Sequence, residues 1–406
     1  MIKRILYTLL IMFPVVASAQ INTDRVMAIG RNALYFEDYV LSIQYFNQVI
    51  NAKPYLSDPY FYRGLAKINL DDFQGAESDC SEAIERNPFV VSAYQVRGLA
   101  RIQQNNFAGA IEDYTKALEF DPENIGVWHN MALCRIRQED YKGAKNDLDK
   151  LIAISPRYTK AYLMRGEVDL KQKDTLAAEK DFGKAIEIDR YDADTWASRA
   201  ILRLQQQRYK DAEADFDHAI RLSTRNSGVY INRALARYHQ NNLRGAMSDY
   251  DIALDIDPNN FIGHYNRGLL RAQVGDDNRA IQDFNFVIEM EPDNMMAIFN
   301  RGLLLDQTGD YKGAIKDYST VINEYPNFLL GYQYRAQARR KIGDVKGADA
   351  DEFKVLKAQL DKQNGVDPNK QTADNTENNK TRKKSDKNMN NYRKIVVADR
   401  KSTRLN

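Results

Sequence analysis

The side chains best suited to chemistry are few and scattered. Four histidines, His129, His218, His239 and His264, and two cysteines, Cys80 and Cys134, are spread through 406 residues. No histidine falls in an HExxH or comparable ligand spacing, and no glycine-rich phosphate loop is visible. A nucleophile with a base and an orienting group is equally missing. We expect no catalytic residue, no metal site and no cofactor. What does recur is an arginine followed sixteen residues later by an aspartate: Arg63 and Asp79, Arg97 and Asp113, Arg165 and Asp181, and so on to Arg301 and Asp317 and Arg335 and Asp351. Arg301 stands beside Gly302, a small residue where two helices would press together. A charge in such a seam needs a partner, because an orphaned buried charge costs about 3–5 kcal/mol. The regular spacing predicts structural ion pairs within one unit rather than an anion site. Only Asp147 lacks an arginine in that register, since Met131 stands opposite it.

The elements that position these residues follow from a period. Prolines fall at 54, 88, 122, 156, 258, 292 and 326, and neighbours differ by 34 or by a multiple of 34. If each unit is numbered so that proline is position 32, the first begins at Thr23. Position 8 is then Gly or Ala in ten successive units, from Gly30 to Ala336. Position 20 is Ser42 and then nine alanines, Ala76 to Ala348. Position 24 is apolar or aromatic from Phe46 to Tyr318 and breaks at Glu352. Small residues at 8 and 20 let two antiparallel helices approach, and the large residue at 24 fills the space beside them. Gly275, Gly309 and Gly343 at position 15 suit a left-handed helix end. Proline at 32 stops the second helix.

This pattern resembles the tetratricopeptide repeat family from Thr23 to about Ala358, a span expected to hold ten tandem repeats over residues 23–358. The resemblance implies an all-α, right-handed superhelical solenoid of helix-turn-helix repeats, in which no unit buries its apolar face alone. End units must differ. Glu352 and Lys354 suggest a last helix that faces water as a cap. The register places Cys80 and Cys134 two repeats apart, too far for a disulfide, so both should be buried free thiols.

The resemblance also implies a function, binding a protein or peptide in a concave groove lined by the first helix of each repeat. Positions 2, 5, 6, 9, 12 and 13 would face it. Position 6 holds Asn130, Asn232, Asn266 and Asn300, similar to the asparagine ladder with which some family members grip an extended peptide backbone. An amide both donates and accepts, as a peptide bond requires. Phe61, Tyr265 and Phe299 at position 5 and Gln273 and Gln307 at position 13 complete the candidate groove. The Lys, Asn and Arg clamp of chaperone-binding relatives is missing.

Outside the repeats the composition changes. Lys3 and Arg4, the apolar run from Ile5 to Val16 and the small residues Ala17-Ser18-Ala19 form a leader, residues 1–19, with cleavage expected after Ala19. The apolar run is too short for a comfortable span. Export to the periplasm of a Gram-negative bacterium, or secretion, follows as an expectation. Residues 362–398 are polar and basic and read as a disordered tail. Residues 399–406 read as non-native sequence of the kind a sequencing-library adapter encodes. The net charge of +2 creates no global field for nucleic acid. The partner expected is therefore a protein or peptide. A cell-envelope assembly factor or adaptor working through the convex face and basic tail is the alternative.

Overall fold

The computed structural model describes residues 22–222 and 225–364. Among them are twenty α-helices and no strand. The helices come in ten pairs, from α1 (Thr23–Tyr35) and α2 (Tyr39–Ala52) to α19 (Leu329–Lys341) and α20 (Val345–Gln363). The first helix starts at position 1 in every repeat but the second, where it starts at Asp58. The leader and the basic tail lie outside the described residues. No described helix is long and apolar enough to cross a membrane.

Local chemistry fixes each pair. In most repeats an Asp or Asn at position 16 caps the second helix: Asp72, Asn106, Asp140 and Asp310 each accept a hydrogen bond from the backbone N–H three residues on, at 2.9–3.1 Å. The turn between the helices is left-handed at position 15 in all ten repeats. Gly275, Gly309 and Gly343 take φ of 80°, 93° and 81°, as the sequence suggested. Seven repeats make the same turn without glycine, for example Glu139 and Lys173 at 61° and 65°. The close helix approach at position 8 is real. A Cβ on Gly98 would lie 2.8 Å from the Tyr114 ring, and one on Gly166 would lie 2.6 Å from Phe182.

The chain divides between Ile188 and Asp189 into two compact units of five repeats each. Within each unit the helices pack in chain order, and the alanines at 20 and the large residues at 24 form a buried seam. Cys80 and Cys134 are buried free thiols in the first unit. Burial pushes the Cys80 thiol up to about 12 and Cys134 to about 11, so neither is a ready nucleophile. The last helix departs from a purely polar cap. Glu352 is exposed and paired with Arg340, yet Phe353, Leu356 and Leu360 on the same helix are exposed too.

Candidate functional site

The recurrent arginine meets its aspartate within the repeat. Arg301 donates from Nε to Asp317 Oδ2 at 2.8 Å and from Nη2 to Oδ1 at 2.7 Å, and Arg63 makes the same fork on Asp79 at 2.8 and 2.5 Å. Both aspartates are buried and the arginines are partly buried. The third nitrogen reaches back to position 25 of the preceding repeat: Arg301 Nη1 donates to Asn285 at 2.9 Å and Arg63 Nη1 to Asn47 at 2.6 Å. One guanidinium therefore ties two helices of its own repeat to the previous repeat.

A second cation was not read from the sequence. Position 11 carries Lys67, Arg101, Arg135, Arg203, Arg237, Arg271 and Arg339, and each lies on the position-23 aspartate of its own repeat. Asp147, left alone by Met131, is held by Arg135 at 2.7 Å. Where repeat 5 has Asp169 at position 11, Lys145 of the preceding repeat pairs with it, reversing the Glu77–Arg101 and Glu213–Arg237 pairs found elsewhere. The arginines are consumed by carboxylates and are not offered to a ligand.

A cavity that gathers candidate groove residues lies in the second unit, across repeats 7 to 9. Its volume is about 400 Å³. Leu269 and Leu303 at position 9 line it, together with Tyr238, Leu304 and the buried Phe284 ring. The polar groups are three amides, Gln273, Gln307 and Asn300, and no charged side chain lines it. The two glutamines are exposed. Asn300 donates to Met296 O at 2.8 Å and to the Tyr265 hydroxyl at 3.4 Å.

An open strip along positions 5 and 6 is not what the structure has. Asn232, Asn266 and Asn300 are 1%, 0% and 5% exposed, and Tyr265 and Phe299 are buried as well. Tyr265 stands edge-on to Phe284, and Phe299 packs on Tyr318 and Phe328. The reason is geometric. A helix layered between its repeat partner and the next repeat has contacts over more than half its circumference, so positions 5 and 6 turn into packing. Phe61, against Tyr62, and Asn130 are half-buried in the first unit. Position 13 keeps an outward view. Only Asn300, Gln273 and Gln307 of the expected set meet at the cavity; the neglected contributor is Tyr238 at position 12.

The histidines serve separate contacts. His218 stacks on Trp196 at 4.3 Å, His239 on Tyr209 at 4.5 Å, His264 places Nδ1 3.0 Å from Asp283 Oδ1 and Nε2 3.0 Å from Pro258 O, and His129 meets the Tyr158 hydroxyl at 3.3 Å. Among the described residues, no group of His, Cys, Asp and Glu is placed to hold a metal ion.

With this geometry described, comparison with known families places the chain. Models described as TPR repeat or tetratricopeptide repeat match residues 98–134, 125–158, 159–192, 198–261 and 265–327, together more than half of it. The chain belongs to the tetratricopeptide repeat family. Among solved structures it is similar to a tetratricopeptide repeat protein from Parabacteroides merdae, at 21% identity over 61% of this chain and 98% of that one, with a TM-score of 0.48. It is also similar to PilF of Pseudomonas aeruginosa, at 20% identity over 50% of this chain and 92% of that one, with a TM-score of 0.43. No curated protein matches it. Family membership supports a protein–protein interaction scaffold.

Proposed function

We propose that this scaffold holds an extended peptide or protein segment along the first helices of its second unit. The supporting observation is the cavity of about 400 Å³, whose lining joins the apolar Leu269, Leu303, Leu304 and Phe284 to three amides, the exposed Gln273 and Gln307 and the buried Asn300. Amides can pair with a peptide backbone of any sequence, and the apolar part of the lining takes one side chain. The absence of charge on the lining favours an uncharged, apolar anchor residue over an acidic terminus. The export leader belongs to the same reading: a chain matured after Ala19 would meet its partner in the envelope or outside the cell, which N-terminal sequencing of the natural protein tests.

The binding experiment compares capture of partners from an envelope extract by the intact chain and by a Gln273→Ala/Gln307→Ala variant. Both glutamines are exposed, so the variant should keep its fold. A partner held by the intact chain and reduced at least about tenfold by the variant, the equivalent of about 1.4 kcal/mol, supports the groove. Equal capture by both overturns it.

A further inference from the structure

Within each unit the joint between successive repeats follows a fixed matching of positions. Position 25 of one repeat accepts from the position-7 arginine of the next, as Asp251 does from Arg267 at 2.8 Å and Ser319 from Arg335 at 3.0 Å. Positions 17 and 21 meet the position-14 amide of the next: Gln104 Nε2 donates to Glu77 at 2.8 Å and reaches Phe73 O at 3.4 Å, and Gln240 does the same to Glu213 at 2.7 Å and Tyr209 O at 3.5 Å. Position 28 presses on position 3 of the next, so closely that a Cβ on Gly331 would lie 2.6 Å from Ile322.

The two ends of the array carry the apolar version of this matching. On the outgoing face of repeat 10, position 25 is Phe353, 66% exposed, where the repeats before it have Asn, Asp, Ser, Thr or Gly. Position 17 is Val345 and position 28 is Leu356, each 52% exposed. On the incoming face of repeat 1, position 7 is Ile29 instead of arginine, position 11 is Ala33 instead of a cation, and position 14 is Phe36, 76% exposed. One pair of slots has changed together, 25 with 7, which becomes Phe353 with Ile29; 17 with 14 becomes Val345 with Phe36, the apolar pairing that inner joints already use at Leu243 with Val274 and Tyr311 with Ile342. A terminal repeat that stays alone is expected to be polar in these slots, and exposed apolar patches mark contact surfaces.

We propose that the first repeat of one copy stacks on the last repeat of a second copy, head to tail, continuing the repeat register across the junction. The departure from an internal joint is Arg25, exposed at position 3, where the inner repeats have smaller residues such as Ala93 and Gly331. Its aliphatic stem must lie along Leu356 with the guanidinium in water, so the junction is looser than an internal one. Such a contact is heterologous and builds an open chain or a ring.

The test is sedimentation of the full chain expressed with its leader, alongside Phe36→Asp and Phe353→Asp variants. Both side chains are exposed, and unchanged helical circular dichroism checks the fold. The expected result is a weight-average mass that at least doubles with concentration for the native chain. Each variant alone stays monomeric, and an equimolar mixture forms a 1:1 dimer and nothing larger, because each variant keeps the one end the other needs. A native chain that is monomeric at its highest soluble concentration overturns the proposal. Dimers of Phe36→Asp alone also overturn it, since they show last repeats meeting each other. Assembly that appears only after residues 365–406 are removed assigns the face to the chain's own tail, and sinks the second copy as its occupant.

Discussion

Repeat 4 (residues 125–158) and repeat 8 (residues 261–294) share one backbone plan and differ in how they hold the buried carboxylate at position 23. In repeat 8, Asp283 accepts from Arg267, from Arg271 at 2.8 Å and from His264 Nδ1 at 3.0 Å. In repeat 4, Asp147 has Arg135 alone, and that arginine also serves Asp140 at 2.8 Å. The consequence appears in their protonation. Burial pushes Asp147 up to about 6, and Arg135 offsets only part of it. In repeat 8 burial pushes the same way, but the hydrogen bonds from His264 and Arg267 and the two guanidinium charges bring Asp283 below the usual carboxylate range. The single contact from Arg135 does not offset the burial of Asp147, whereas the fork, the second guanidinium and the imidazole together do so at Asp283.

The sharpest way to break the comparison is to remove each carboxylate. Asp283→Ala leaves two guanidiniums with only the exposed Asp251 of the preceding repeat beside them, 2.8 Å from Arg267 and 3.8 Å from Arg271, a cost towards the lower end of about 3–5 kcal/mol. Asp147→Ala orphans only Arg135, which keeps Asp140, and should cost about 1 kcal/mol. A repeat array unfolds piecewise, so amide hydrogen exchange within residues 261–294 and 125–158 is the measurement, supported by urea unfolding of the whole chain. Equal losses of protection in the two variants would remove the distinction.

The pH dependence should carry opposite signs in the two repeats. Asp147 has a folded value of about 6, above its unfolded value near 4. Its stabilising contribution is therefore complete below about pH 4 and disappears as pH rises through about 6. Asp283 is lowered, so its contribution is present above its unfolded value and is lost on acidification. Asp147→Asn should match the native chain near pH 4 and exceed it at pH 7 by about 3 kcal/mol, from a shift of roughly two units. Met131→Arg should sharpen this further. It restores the fork, with Thr115 placed as Ser81 and Ser319 are for Arg97 and Arg335. The pH response of repeat 4 should then fall towards that of repeat 8. An Asn variant that is less stable than the native chain at pH 7 would show that Asp147 is held as an anion after all.

The sequence carried much of this, and the gaps have physical causes. The period, the small residues at 8 and 20, the arginine–aspartate spacing and the left-handed glycines at 15 are one-residue requirements, and each shows as a column of like residues. The position-11 cation shows as a column too, yet opposite charges were matched one to one. A buried carboxylate has more acceptor sites than one guanidinium fork fills, and that count, applied to Asp79 or Asp283, calls for a second donor. The groove was harder. Asn266 and Gln273 lie on the same helix and are both amides, but one is fully buried and the other exposed. The difference depends on the tilt of the neighbouring repeat, which no residue column states.

The smallest expected effect concerns the turns of the same two repeats. Glu139 in repeat 4 and Gly275 in repeat 8 occupy position 15 with φ of 61° and 80°. A side chain in this left-handed region costs about 1–2 kcal/mol, while glycine enters it freely but loses more chain entropy on folding. The two terms oppose each other, so the net gain from glycine is smaller than the steric cost alone. Glu139→Gly should stabilise repeat 4 by about 0.5–1 kcal/mol, and Gly275→Ala should destabilise repeat 8 by about 1 kcal/mol. Space is not the issue at Gly275, since an added Cβ there would meet nothing within 4 Å. The cost must come from the backbone angle. Thermal unfolding of the two variants, with exchange at the flanking amides, separates the cases. If Gly275→Ala is neutral, the turn relaxes out of the left-handed region, and the seven non-glycine turns are then unstrained as well.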